Sequence, residues 1–274
     1  MSIYSRNKKI LKEWEETCKN NGEKDFVHDG ILNRGELCNS KKGLKCKRQH
    51  SKYYKKEREL WENAPLRFLF ITKELNPQKG DPWDVREEAG GRIEKDKDEI
   101  TAEDDFNKNI VFQLYGLGNT KPKPKMKKYI KWDEINVKKA LKFYDTCAFA
   151  RINVKKQSGK DKTDDRQLSN YVKTYQCYLW AQIRNLDADI IVCGGSKGVI
   201  LNFLIEKCYE DLRQVDPDNG WIYYSEKYNK IAIDSWYPSY TKYSRVTQKE
   251  FYDGMICSYY DFLNKHKKFV ESHR

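Results

Sequence analysis

The sequence predicts an α/β fold, a three-layer α/β/α sandwich around a central, mainly parallel sheet of four strands. Three observations point there. Short, nearly continuous apolar runs occur at 66–71, 147–152, 188–193 and 231–234, and such runs mark strands buried on both faces. Segments of helical spacing alternate with them. Each run ends in a polar or glycine-rich turn, and in parallel sheets ligands gather outside those carboxyl ends.

Taken in order, residues 6–20 place Ile10, Leu11, Trp14 and Cys18 on one side of a helix. Glycines 22, 30, 35 and 43 make 21–50 loop-like. Residues 51–63 are charged and helical, and Pro65 ends that helix. The first strand follows at 66–71. A polar stretch then runs to about residue 140, with a helix near 106–114. The second strand is closed by Asn153. Leu168, Tyr171, Val172, Tyr175, Leu179 and Ile183 recur at threes and fours, which defines a helix over 167–185. The third strand is closed by Gly194 and Gly195, and a helix over 197–208 follows. A hairpin signal around Trp221 to Tyr224 precedes the fourth strand, and the last helix spans 248–265. No internal repeat is present. The expected organisation is a helical and loop extension, 1–64, packed on a core domain, 65–274, with a polar insert at about 83–140.

Charged residues make up 34% of the chain and hydrophobic ones 38%, but aromatics reach 14%, enough to build a core and to exclude wholesale disorder. The net charge of +12 favours a polyanionic partner, nucleic acid or an anionic membrane, with solubility alone as the alternative and nucleic acid the preferred reading. Lys121, Lys123, Lys125, Lys127, Lys128 and Lys131 cluster around Pro122 and Pro124, which disfavour helix and imply an extended basic loop. Residues 81–105 are instead rich in acids, among them Glu87, Glu88, Asp96, Asp98 and Asp104, so that stretch should face away from phosphate. There is no secretory pattern and no apolar run near the ~20 residues of a membrane span. The expectation is a cytoplasmic protein with mostly free thiols, no membrane partner and no obligatory protein partner.

The chemistry-bearing residues lie at the four strand ends. After the first come Glu74, Leu75, Asn76, Pro77, Asp81 and Trp83. After the second come Asn153, Lys155 and Lys156. The third ends in Gly194-Gly195-Ser196-Lys197-Gly198, and the fourth in Ser235-Trp236-Tyr237-Pro238-Ser239-Tyr240. In that order the segments resemble the active-site motifs of the uracil-DNA glycosylase superfamily. Leu75-Asn76-Pro77 is similar to the Ile/Met-Asn-Pro of its mismatch-specific and single-strand-selective members. Asn153 resembles the asparagine that reads the pyrimidine edge, and Tyr237-Pro238-Ser239 resembles the His-Pro-Ser or Asn-Pro-Ser motif. The likeness covers roughly 66–82, 145–160, 187–205 and 231–246.

That resemblance implies a uracil-DNA glycosylase-like domain and a monofunctional DNA N-glycosylase, a hydrolase of base excision acting on a flipped base. Asn76 would position the attacking water, with Glu74 or Asp81 as general base. Asn153 would read the base. Tyr237 would donate to the leaving base, and Ser239 would contact the phosphate. Trp83, Trp236, Tyr240 and Tyr243 are candidates to stack on the base or fill the gap it leaves; core or surface packing is an equal alternative for each. Lys155, Lys156, Lys242 and the loop lysines Lys125, Lys127 and Lys128 would hold the DNA backbone. Tyr237 stands where many relatives carry His. Tyrosine donates a hydrogen bond but stays neutral, so the departure points to another modified pyrimidine, a bulky phage-type cytosine in antiphage defence among them, or to lost catalysis. Lys155 and Lys156 are assigned to the DNA backbone and no lysine after a strand stands out as a nucleophile, so lyase chemistry is not expected.

Two other classes compete. One is a non-catalytic nucleic-acid-binding module on the same fold. The other is an enzyme of free nucleotides, which the basic charge disfavours. The turn 194–198 lacks both G-x-G-x-x-G and G-x-x-x-x-G-K-[ST] and reads as a tight strand–helix turn. Cys38, Cys46 and His50, with Cys18 or His28, match no standard zinc spacing, so neither a metal nor any other cofactor is assigned.

Overall fold

The computed structural model describes residues 2–32, 37–40, 43–46, 58–73, 85, 105–157, 164–195, 198–218, 220–239 and 246–273. The chain opens with α1 (Ile3–Asn20), whose N-cap Ser2 accepts a hydrogen bond from the Ser5 amide. Three short strands follow: β1 (Gly30–Ile31), β2 (Leu37–Ser40) and β3 (Gly43–Cys46). Then come β4 (Arg67–Thr72), α2 (Asp105–Asn119), α3 (Val137–Thr146), β5 (Ala148–Asn153), α4 (Asp165–Leu186), β6 (Ile190–Gly194) and α5 (Val199–Phe203). The chain continues through β7 (Arg213–Gln214), β8 (Ile222–Ser225), β9 (Lys230–Ser235), α6 (Gln248–Lys265) and α7 (Lys267–Ser272).

The sheet has seven strands in the order β1-β5-β4-β6-β9-β8-β7 and is mixed, which corrects the four-stranded expectation. Its middle is β5-β4-β6-β9, paired parallel throughout. β1 pairs antiparallel with β5, β8 with β9 and β7 with β8. The additions have a physical reason. β1 and β7 are two residues long, too short to carry a period, while β8 is the arm of the signalled hairpin and returns through a turn with Asn229 at φ 53°. β2 and β3 form a separate two-stranded ribbon.

Alternation along the parallel strands explains why they read as unbroken apolar runs. Phe68, Phe70, Phe149, Val192 and Ile233 join one core with α2, α6 and α7. Leu69, Ile71, Ala150, Ile152 and Cys193 join the other with α1, α4 and α5. Fully burying one large apolar side chain is worth about 1.5–3 kcal/mol, so substitutions are costly on either face. α1 belongs to this second core: the Trp14 ring stacks on Tyr178 of α4 at 5.8 Å, and the N-terminal segment supplies β1 to the sheet itself. α3 begins at the end of the polar stretch, where the sequence reading assigns no helix. Its core-facing Ala140 and Tyr144 are set among lysines, and Asn136 caps its start. Among the described residues no helix is long and apolar enough to cross a membrane.

Candidate active site at the carboxyl ends of the parallel strands

The four parallel strands end at Thr72, Asn153, Gly194 and Ser235. Thr72 lies opposite Asn153, and Gly194 opposite Ser235. The two pairs meet at Gly194, where a Cβ would lie 3.1 Å from the Ile71 carbonyl and 3.2 Å from Thr72 Cγ2. Gly195 then turns with φ +52° and donates its N–H to the Ser235 carbonyl at 2.8 Å. A Cβ there would come within 2.5 Å of the Tyr237 amide nitrogen. The Gly-Gly pair is thus a tight turn over which the chain at 236–238 passes. Ser196 and Lys197 lie outside the described residues.

Asn153 is 1% exposed. Its Oδ1 accepts the Thr72 hydroxyl at 2.7 Å, and its main-chain N–H donates to the Asp29 carboxylate at 2.8 Å. Its Nδ2 has no hydrogen-bond partner among the described residues. A buried amide that forgoes its donors costs roughly 1–3 kcal/mol.

Beneath it lies a fully buried ionic cluster. The Lys156 ammonium donates to both Asp29 oxygens at 2.6 and 2.8 Å, to the Asn153 carbonyl at 2.8 Å and to Gln182 Oε1 at 2.9 Å. Gln182 Nε2 donates back to Asp29 at 2.8 Å, and the ammonium sits 4.7 Å over the Trp14 ring. Burial lowers the Lys156 pKa, while the Asp29 charge opposes that. Lys156 is therefore corrected: with no exposed surface it cannot hold a DNA phosphate. It fixes Asn153 instead. Lys155, on the rim and half-buried, donates its N–H to the Lys73 carbonyl.

Tyr237 is half-buried and packs on Phe106 at 5.6 Å, whose ring faces the Arg151 guanidinium at 4.8 Å. The adjacent Pro238 carbonyl accepts from buried Asn109 Nδ2 at 2.6 Å, which ties the beginning of α2 to the last motif. Ser239 is exposed. Trp236 takes the packing alternative: its ring stacks on Phe251 at 4.5 Å and lies 6.4 Å from Trp221. Asp234, in register with Cys193, is half-buried. Burial raises its carboxyl pKa, and no cation pairs with it among the described residues.

The basic loop does not join this group. It begins where α2 ends, beside Pro65 and Leu66 at the amino ends of the strands. α2 spans Asp105–Asn119 and so separates that end from Phe106 by roughly 20 Å. Lys128 is already paired with Glu134. The loop that carries Lys125, Lys127 and Lys128 thus lies at the opposite end of α2 from the group around Asn153. Glu74, Asn76, Asp81, Trp83, Tyr240, Lys242 and Tyr243 lie outside the described residues.

Sequence reasoning passed over Asp29, Gln182, Thr72, Asn109 and Arg151. Thr72 and Arg151 carried a signal, since they sit in or at the end of predicted strands. Asp29 carried none, because its partner Asn153 is 124 positions away. Among the described residues no group of three or more His, Cys, Asp or Glu is placed to hold a metal. Cys18 is buried beside Tyr171, and His28 pairs with Glu15 at 3.1 Å. His50 and the side chains of Cys38 and Cys46 lie outside the described residues. No family model matches the chain, and neither does any curated protein or solved structure.

Proposed function

We propose that this chain is a monofunctional DNA glycosylase. It would hydrolyse the N-glycosidic bond of a flipped uracil or other modified pyrimidine, modified phage cytosine among them, as a host-defence activity. The observation that carries the reading is Asn153. Its carboxamide oxygen accepts from Thr72, its main chain is fixed by Asp29 and Lys156, and its Nδ2 has no partner among the described residues, at the sheet end where ligands of such folds gather.

In this reading the target base leaves the stack at a cost of about a few kcal/mol. Asn153 meets its edge: with uracil, Nδ2 donates to the O4 carbonyl and Oδ1 accepts N3–H; with a cytosine, Nδ2 donates to ring N3 and Oδ1 accepts from the exocyclic amine. Asn76 positions a water, and Glu74 or Asp81 takes its proton as the oxygen bonds to the sugar C1′. The bond from C1′ to the base breaks, and the base departs as an anion that later takes up a proton. Tyr237 donates to the leaving base, as a preorganised donor aimed at developing charge. The half-buried Asp234 lies three residues before it, close enough in sequence to add a negative field at the electron-poor sugar. Lys155 and Ser239 are the rim groups for phosphate.

The test is base release from oligonucleotides carrying uracil, hypoxanthine, hydroxymethylcytosine or glucosylated cytosine, with alkali revealing abasic sites. Abasic sites confined to one base are expected. No abasic site with any substrate, together with salt-sensitive DNA binding, would replace this reading by the non-catalytic binding module.

A further inference from the structure

A well-formed cavity lies at the far end of the parallel strands from Asn153. It encloses about 380 Å³ at the amino ends of the parallel strands, between the 120–125 loop, α6 and α7. Its walls are apolar: Leu66 precedes β4, Leu117 closes α2, Leu263 comes from α6, and Phe269 and Val270 from α7. A second hollow of about 270 Å³ shares Pro122, Lys123, Leu263 and Val270 with it, so the two form one groove. The volume falls within the ~300–1,000 Å³ typical of small-molecule sites.

The mouth is predominantly basic. Lys121, Lys123 and Lys125 line the cavity and are exposed, and Lys267 lines its extension. Glu271 is the single acid in the lining, and among the described residues no carboxylate pairs with any of these four lysines. Burial, then the neighbouring charge of Lys125, lowers the Lys121 pKa, a penalty that a bound anion would relieve. The wall also contains Thr120, 2% exposed, whose hydroxyl has no hydrogen-bond partner among the described residues.

We infer that this groove is a second ligand site that takes a small amphipathic anion, an apolar tail with a carboxylate or phosphate head. The tail would lie against Leu117, Leu263 and Phe269, and the head at the lysine mouth. Catalytic ligands of such sheets sit at the opposite, carboxyl ends, so this site stands apart from base release and does not depend on it.

Calorimetric titration of the full chain with octanoate and octyl phosphate, below their micelle concentrations, tests this, with octanol as the uncharged control. One anion should bind per chain, and octanol should bind about tenfold more weakly or less. The combined Lys121→Gln, Lys123→Gln and Lys125→Gln variant, altered only at exposed positions, should lose about tenfold in anion affinity. Leu263→Trp, which fills the cavity, should abolish binding of both anions. A preference for octyl phosphate would assign a phosphate head, and one for octanoate a carboxylate. No heat with either anion would overturn the proposal. So would octanol binding as tightly as octanoate, or affinity unchanged in the folded triple-Gln variant.

Discussion

Asn153 is the residue on which the functional reading turns, and its position was legible because it closes an apolar run. What holds it was not. Asp29 sits in a segment read as loop, and only the folded chain brings its carboxylate to the Asn153 amide. Lys156 shows the limit most clearly: a lysine beside a strand end reads as a phosphate ligand, yet it is sealed against Asp29 and Gln182. Removing one member of a buried ion pair leaves the other uncompensated, which costs about 3–5 kcal/mol. Lys156→Met should therefore lower the unfolding free energy in urea by about that amount. The double variant D29N/K156M should recover most of the loss. Equal destabilisation of the single and double variants would count against the pair as the organiser of Asn153.

At the scale of elements, the parallel strands and the longer helices were readable because burial on two faces, or on one helical face, writes a period into the sequence. α6 was expected over 248–265 and spans Gln248–Lys265, with Thr247 and Glu250 forming a capping box. The edge strands β1 and β7 were not readable, since two residues define no alternation. α3 was missed because only Ala140 and Tyr144 of its core-facing stripe are deeply buried. The turn after β6 makes its own prediction. Gly195 has φ +52°, and a Cβ there would meet the Tyr237 backbone at 2.5 Å. Gly195→Ala should cost at least about 1–3 kcal/mol in chemical denaturation. It should also displace the 236–238 segment, seen as a change in Trp236 fluorescence. A variant as stable as the parent would show that the close approach is not rigid.

The whole molecule adds two electrostatic consequences. At the amino ends of the strands, Asp189 joins Arg67, Lys230 and His273, at 2.8 Å to the Arg67 amide, 3.0 Å to Lys230 and 3.3 Å to His273. Burial would raise its carboxyl pKa, but the His273 hydrogen bond and the charges of Lys230 and Arg67 outweigh that and hold it well below the usual range. A depressed folded-state value contributes stability that is fully present above the unfolded value near ~3.9 and is lost as pH falls through the folded one. The stability gap between the parent and Asp189→Asn, read from urea midpoints, should hold steady near neutrality and shrink on acidification below ~4. A gap that widened in acid would contradict the assignment. The second consequence belongs to the proposed function: with a net charge of +12, log affinity for DNA under that proposal should fall linearly with log salt concentration. The loop lysines lie at the wrong end to steer the target base, so the triple-Gln variant should release base at the parent rate.

The most direct test of the central claim compares parent and Asn153→Ala on the base that the oligonucleotide panel identifies, in single-turnover base release and in DNA binding. If Asn153 reads the flipped base, turnover should fall by about 10²-fold or more, while affinity for undamaged DNA stays close to the parent's and the lost Thr72 hydrogen bond lowers stability by only about 1–3 kcal/mol. Undiminished base release by a folded Asn153→Ala protein would contradict the account.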